Sequence, residues 1–413
     1  MREMKDSGLQ WAGKIPKTWM VKKGKYFLNI QTLPVREDDG VITCFRDGEV
    51  TLRSNRREEG FTISTTEAGY QGINQGDLIV HGMDGFAGAI GISDSRGKAT
   101  PVLNNLETAE NKRYMMYELR AMAFCELFQA LSTGIRVRTC DTNWGKLRAI
   151  NYFLPPIKEQ KRIAAFLDSK CAEIDALSAD IQSEIATLEA YKRSVITETV
   201  TKGLDKTVPM KDSGIEWIGE IPETWDIKKG KYCLRYVQKP TKPDDDVITC
   251  FRDGEVTLRK NRREEGFTIS LKEIGYQGID VGDLVVHGMD GFAGAIGISD
   301  SRGKASPVLN VLDTDNNKRY IMYYLRSLAF NGVFLALSTG IRVRTCDTNW
   351  SKLRELLYVL PSKKEQDAIV RFVDKRLNAT DEIIAQKQEQ LAVLADYKKS
   401  VIYEYVTGKK EVV

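Results

Sequence analysis

LSTGIRVRTCDTNW at 131–144 returns without a substitution at 337–350, and that return decides how the chain is built. Working outward, the same offset of 206 links Trp19 to Trp225, Cys44 to Cys250, His81 to His287, Asp168 to Asp374 and Ser194 to Ser400. HGMDGFAGAIGISDSRGKA (81–99) recurs letter for letter at 287–305, and VITCFRDGEVTLRSNRREEGFTIS (41–64) recurs at 247–270 with one change, Ser54 to Lys260. No insertion or deletion breaks the register. A period this long belongs to a duplicated domain, since solenoid repeats run to roughly 20–50 residues.

A chain of 413 residues has room for two such units, each long enough to bury its own core. The opening MREMKDSGLQWAGKIPK lacks the apolar run of a signal peptide, and no stretch of about 18 apolar residues occurs, so the expectation is a soluble, cytoplasmic protein. Seven cysteines without a close CxxC pair point to reduced thiols. A net charge of +4 is only mildly basic, so any nucleic-acid binding must come from local patches or from partner subunits.

Each unit opens with two tryptophans around a Gly and an Ile-Pro, GLQWAGKIPKTW (8–19) and GIEWIGEIPETW (214–225), an extended segment pinned by its aromatics. From about 41 to 105, short Val, Ile and Phe runs alternate with turn signals such as Asp47-Gly48, the pattern of a mixed or antiparallel sheet. Residues 111–131 then place Tyr114, Met115, Leu119, Met122, Leu127 and Leu131 at helical spacing, which predicts one helix on that sheet. Each unit is therefore α+β.

The segments LPPIKEQ and LPSKKEQ open long helices without internal Pro or Gly, with Pro156 and Glu159 as starting signals in the first and Ser362 with Glu365 as a capping box in the second. Leu167, Ile174, Ile181, Leu188 and Val195 fall seven apart, with Leu177, Ile185 and Tyr191 beside them, so they predict a coiled-coil seam. The second stripe is Leu377, Ile384, Leu391 and Leu394, with Thr380 and Lys387 standing where the first copy is apolar. A seam that differs between copies fits two helices that face each other, antiparallel and about 65 Å long. The expected order is a globular domain at 1–155, a helix at 156–203, a second domain at 204–361 and a second helix at 362–407, with intramolecular pseudo-two-fold symmetry. Such an object suits a two-fold target, as an inverted repeat in duplex DNA is.

Two units opening with W-x-G-x-I-P-x-x-W, each closed by L-P-P/S-x-K-E-Q and a heptad helix, resemble the specificity (S) subunit of type I restriction-modification enzymes over essentially the whole chain. The resemblance implies two target recognition domains that each read half of a split DNA site, and paired helices that act as a ruler and dock two methyltransferase (M) subunits. It implies that the chain is non-catalytic and binds no cofactor itself: S-adenosylmethionine sits in the M subunits, and ATP and Mg in two restriction (R) subunits where those are present. The family's two recognition domains commonly differ, whereas these are nearly the same, so the expected site is palindromic. Its half-site centres should lie about one DNA turn, roughly 10 base pairs, apart.

Arginine suits guanine, Asn suits adenine, acids suit cytosine, and phosphates take cations and hydroxyls. The first candidates are Arg136, Arg138 and Asn143 with Arg342, Arg344 and Asn349, because Ile-Arg-Val-Arg alternation puts both arginines on one face. An internal pair with Asp141 is the rival reading. His81 and Asp84 with His287 and Asp290 come next, against a buried structural imidazole. Third are Arg46, Arg53, Arg56, Arg57 and Arg96 with Arg252, Arg259, Arg262, Arg263 and Arg302. Asp47, Glu49, Glu58 and Glu59 make a self-paired charged surface the alternative for that stretch.

Cys44, His81 and Cys140 lack metal-ligand spacing, Ile92 stands where a phosphate-binding loop needs its first glycine, and Leu154-Pro-Pro-Ile157 lacks the polar and aromatic residues of an adenine methyltransferase motif. The different-class alternative is a pseudo-dimeric coiled-coil scaffold that never meets DNA.

Overall fold

The computed structural model describes residues 2–56, 68–131, 142–262, 274–337 and 348–412. The chain divides into two compact units, one of Met1–Ile181 with Gln388–Val413 and the other of Gln182–Lys387. Each unit thus combines a globular domain with a length of both long helices.

Unit 1 runs through β1 (Met4–Asp6), β2 (Lys14–Pro16), β3 (Met20–Lys23), β4 (Leu28–Ile30), β5 (Ile42–Cys44), β6 (Val50–Leu52), β7 (Gln71–Ile73), β8 (Leu78–His81), β9 (Ile90–Ile92), β10 (Gly97–Ala99) and β11 (Leu103–Thr108). Helices α1 (Lys112–Phe124), α2 (Leu127–Ala130) and α3 (Trp144–Leu147), strand β12 (Asn151–Leu154) and the long helix α4 (Ile157–Lys202) follow. The main sheet is antiparallel in the order β4-β11-β8-β9, and β12 returns to pair with β3. Strand β8 is buried along Leu78, Ile79 and Val80, which is why it reads as an apolar run without alternation. Leu78 and Val80 join the core under α1, with Tyr114, Met115, Leu119 and Met122, while Ile79 joins a second core with Ile42, Cys44, Val50 and Ile73.

The predicted single helix over 111–131 is broken. Glu126 adopts φ 56°, the left-handed conformation that closes α1, and Leu131 past α2 is 42 % exposed instead of facing the sheet. At the same point unit 2 has Gly332 with φ 68°, a residue that takes this conformation without strain.

The tryptophan signature and the K-E-Q signature meet. Trp19 is fully buried, its indole N–H donates to Glu159 Oε2 at 3.1 Å, and Arg2 lies over its ring and pairs with Glu159. Trp225 repeats the indole bond, to Glu365 Oε1 at 3.0 Å, while Val208 stands where unit 1 has Arg2. Gln160 accepts the backbone N–H of Asn111 at 3.0 Å and donates to Pro155 O at 2.8 Å, so the start of α4 is tied to the start of α1. The first tryptophans serve less uniformly: Trp11 stacks on Phe153 at 5.2 Å, whereas Trp217 is 39 % exposed.

Unit 2 repeats the topology with β13 (Met210–Asp212), β14 (Glu220–Pro222), β15 (Asp226–Lys229), β16 (Arg235–Val237), β17 (Ile248–Cys250), β18 (Val256–Leu258), β19 (Gln277–Ile279), β20 (Leu284–His287), β21 (Ile296–Ile298), β22 (Gly303–Ala305), β23 (Leu309–Asp313), α5 (Lys318–Phe330), α6 (Val333–Ala336), α7 (Trp350–Leu353), β24 (Leu357–Leu360) and the second long helix α8 (Lys363–Val406). Ser362 Oγ accepts the Glu365 backbone N–H at 3.3 Å, half of the expected capping box, while the Glu365 carboxylate serves Trp225.

Within each unit the two helices run antiparallel. In unit 1, Phe166 meets Tyr405 with ring centroids 4.4 Å apart and Asp175 pairs with Lys398 at 2.6 Å. In unit 2, Glu184 pairs with Lys387 at 2.6 Å and Lys192 with Asp381 at 2.5 Å. Leu167, Ile174, Ile181, Val195 and Ile384 are buried as the heptads require, and Leu188, Leu377, Leu391 and Leu394 are half-buried. Leu177 and Tyr191, expected beside the seam, point outward at 48 % and 43 % exposure. No helix among the described residues is long and apolar enough to cross a membrane.

Candidate nucleic-acid interface

In each unit the glycine-rich block 81–99 meets the described end of the fourteen-residue block, Thr142 in unit 1 and Thr348 in unit 2. The glycine-rich turn after β8 is organised by His81, whose Nδ1 accepts the backbone N–H of Met83 at 3.2 Å and of Asp84 at 3.0 Å. Accepting on Nδ1 leaves the proton on Nε2, and burial holds the imidazole below its ordinary pKa despite the nearby Asp84 carboxylate. His81 is thus a neutral structural residue at pH 7, and His287 repeats both bonds.

Thr142, from the end of the repeated fourteen-residue stretch, fills the centre of this turn. Its backbone N–H donates to Gly82 O at 2.8 Å and its hydroxyl to His81 O at 2.7 Å. A Cβ on Gly85 would lie 3.0 Å from Thr142 Cβ and collide with its hydroxyl, so only glycine permits the approach. Asn104 closes the join by donating to Val80 O at 3.1 Å and Thr142 O at 3.2 Å. Asn143 follows directly and caps α3, with Oδ1 accepting Lys146 N–H at 3.2 Å. In unit 2 the Asn349 carboxamide makes no such cap and turns toward Gly288.

The arginines divide by exposure. Arg46 is 69 % exposed and reaches across to Asp84 at 2.8 Å; Arg252 and Asp290 repeat this pair at 2.8 Å. Such a pair can open toward a polyanion at little cost. Arg53 donates to Thr43 Oγ1 at 3.2 Å and Arg259 to Thr249 Oγ1 at 3.1 Å. Arg56 lies over the Phe45 ring at 4.2 Å and pairs with Asp47 at 2.5 Å and Glu49 at 3.0 Å, with Arg262 doing the same over Phe251. Among the described residues of that stretch, Arg56 and Arg262 are thus paired with acids of their own unit.

Arg96 is an internal brace. It grips Asp39 through Nε at 2.9 Å and Nη2 at 2.8 Å, donates through Nη1 to Asn74 and reaches Pro34 O, and its guanidinium holds the Asp39 carboxyl below the ordinary range. Arg302 is held the same way by Asp245 and Asp280. Four of the five N–H donors of each guanidinium are engaged inside the protein. Arg57, Arg136, Arg138, Arg263, Arg342 and Arg344, with Cys140 and Cys346, lie outside the described residues.

Sequence reasoning missed Arg120. It leaves the middle of α1 to donate to Ile90 O at 2.8 Å and lies against the Gly48 turn, which carries Asp47. A lone arginine in the middle of a helix with an otherwise apolar face was the available signal. Cys44 and Cys250 are buried small hydrophobes, their thiols pushed up to about 12 by desolvation. Among the described residues no group of three or more His, Cys, Asp or Glu could hold a metal ion.

No protein-family model matches the chain. A protein of Methanocaldococcus jannaschii described as the type I restriction enzyme MjaX specificity subunit is 24 % identical, covering 96 % of this chain and 95 % of its own. The type I restriction enzyme EcoBI specificity subunit of Escherichia coli is 24 % identical over 81 % of this chain and 73 % of its own. A solved chain from work on complex assembly and conformational transition of the type I R-M system superposes with a TM-score of 0.67 at 12 % identity, covering 96 % of this chain and 99 % of that one, so the two share a fold.

Proposed function

We propose, from its membership of the specificity-subunit family of type I restriction-modification enzymes, that this chain selects the DNA sequence on which such a complex acts, without catalysing a step itself. The observation that carries the reading is that His81-Gly-Met-Asp-Gly-Phe86 and Thr142 form the same hydrogen-bonded turn in each unit, from sequence identical in both. Equal surfaces read equal sequences, so each unit takes one half of a bipartite palindrome. Exposed Arg46 and Arg252, with Asp84, Asp290, Asn143 and Asn349 at the same turns, are the described groups best placed to meet bases or phosphates. The arginines of the Ile-Arg-Val-Arg stretches remain the first choice for guanine.

The long helices dock two methyltransferase subunits, which hold S-adenosylmethionine and transfer its methyl group to an adenine amino group. Restriction subunits that use ATP and Mg join the same assembly where the host supplies them. A target adenine lies inside the stack and must be turned out for methylation, so the complex has to tolerate a locally opened duplex.

The test is equilibrium binding of the S–M complex to duplex DNA over a range of salt. Affinity should fall linearly on logarithmic axes, with a slope of about −0.9 for each phosphate neutralised. Absence of binding, or binding indifferent to salt, would leave the scaffold reading standing.

A further inference from the structure

Each unit carries a second cationic surface outside the residues marked by the repeated blocks. Strand β3 ends in Lys22 and Lys23, and Gly24-Lys25-Tyr26 then make one helical turn. All three lysines are exposed, and Tyr26 is 69 % exposed with Lys25 over its ring at 4.9 Å. The turn is held rigidly. Gly24 N–H donates to Ile150 O at 3.0 Å and Lys25 N–H to Arg148 O at 2.8 Å, and a Cβ on Gly24 would lie 2.5 Å from Leu147 O. Those contacts set the turn beside the segment that leaves Asn143 through α3, so Lys146 and Arg148 join the same corner. Among the described residues, no ion pair joins Lys22, Lys23, Lys25, Lys146 or Arg148 to an acid.

The two copies show what this corner is kept for. Residues 29–33 differ from 235–239 at every position, whereas Lys-Lys-Gly-Lys-Tyr at 22–26 is identical to 228–232. Packing explains the glycine. It does not explain four exposed side chains, because Tyr26 and Tyr232 leave most of their surface in water, at 69 % and 73 % exposure. A shared external ligand does.

We propose that this corner is a clamp for the phosphate backbone of duplex DNA flanking the bases that each unit reads. The proposal rests on the DNA-reading function above. Lysines and a tyrosine hydroxyl are phosphate ligands that carry no base code, and a rigid turn beside Asn143 fixes the unit's register on the duplex. The clamp is stronger in unit 1. Lys228 of unit 2 pairs with Asp226 at 3.3 Å and Lys229 with Glu355 at 3.2 Å, and Glu355 also faces Arg354 at 3.7 Å. Unit 1 has Met20 and Ala149 at those two acid positions.

The experiment compares the S–M complex carrying Lys22→Gln, Lys23→Gln and Lys25→Gln with one carrying Lys228→Gln, Lys229→Gln and Lys231→Gln. Each is titrated with specific and random duplexes over a range of salt. The unit 1 variant should flatten the salt slope by about three, one for each lysine, and weaken both duplexes at least roughly tenfold near physiological salt while leaving the methylated motif unchanged. The unit 2 variant should do the same more weakly. Wild-type slopes and affinities in both variants would overturn the clamp alone. Release of the methyltransferase subunits at unchanged DNA affinity would also overturn it and give the corner to a protein contact. A wild-type complex that binds no DNA would take down the clamp and the DNA-reading function together.

Discussion

The globular domains and the long helices were duplicated together and have since diverged very unequally. Residues 81–99 are unchanged in the second copy, while the seam of α4 and α8 has exchanged Ile174 for Thr380 and Ile181 for Lys387. Elements of equal age with such different histories are not explained by a recent duplication. Two of the identical blocks supply the residues of the His81–Thr142 turn. The seam changed because each stretch of helix faces a different sequence from its counterpart: Thr380 is buried and turns its hydroxyl to Arg376 O at 2.8 Å, and Lys387 answers Glu184. One ion pair did survive duplication, since Lys192–Asp381 and Lys398–Asp175 are equivalent positions. The helices answer to each other, and on the proposed function the domains answer to one external object.

The largest effect that probes this comparison should come from the buried tryptophans. Trp19→Ala and Trp225→Ala each remove a fully buried indole and its bond to the helix-opening glutamate, and each should cost about 3–5 kcal/mol. Hydrogen exchange resolved for the two units should show equal losses; unequal ones would break the equivalence of the cores.

A smaller effect should separate the units. Unit 1 buries Glu118 completely, with one oxygen accepting Phe153 N–H and the other without a partner, where unit 2 has Tyr324. Desolvation raises the Glu118 carboxyl well above 4.5, so the folded chain keeps a proton that the unfolded chain releases above that pH. The stability of unit 1 should therefore fall as pH rises from about 4.5, without a matching fall in unit 2, where burial pushes the Tyr324 phenol up and away from this range. Glu118→Gln should abolish the slope and gain on the order of 1–3 kcal/mol at neutral pH, read by thermal unfolding at several pH values. A slope that survives the substitution would place its origin elsewhere. Lys387→Met should change stability least, by no more than about 1 kcal/mol, because the lysine is mostly buried along its stem and its partner Glu184 is 56 % exposed.

Much of this architecture was legible because duplication and heptad spacing are patterns that survive any local detail. The break at Glu126 was not, since nothing in a glutamate announces φ 56°; the second copy, with Gly332 there, held the clue. At the site, composition could not tell Arg46 from Arg96. Both stand near acids in sequence, and only the fold shows Arg96 consumed by Asp39 and Arg46 left on the surface. The outward Leu177 and Tyr191 belong to the same class: a helical period gives the face but not the width of the partner that covers it.

The central claim is that two equal units read two equal half-sites. Co-expression of this chain with its methyltransferase partner in a host free of adenine methylation, followed by single-molecule mapping of methylated adenines, tests it most directly. A split palindrome methylated on both strands is the predicted result. A split site with unlike halves would contradict the equivalence of the units, and a genome without a methylated motif would contradict the reading of DNA altogether.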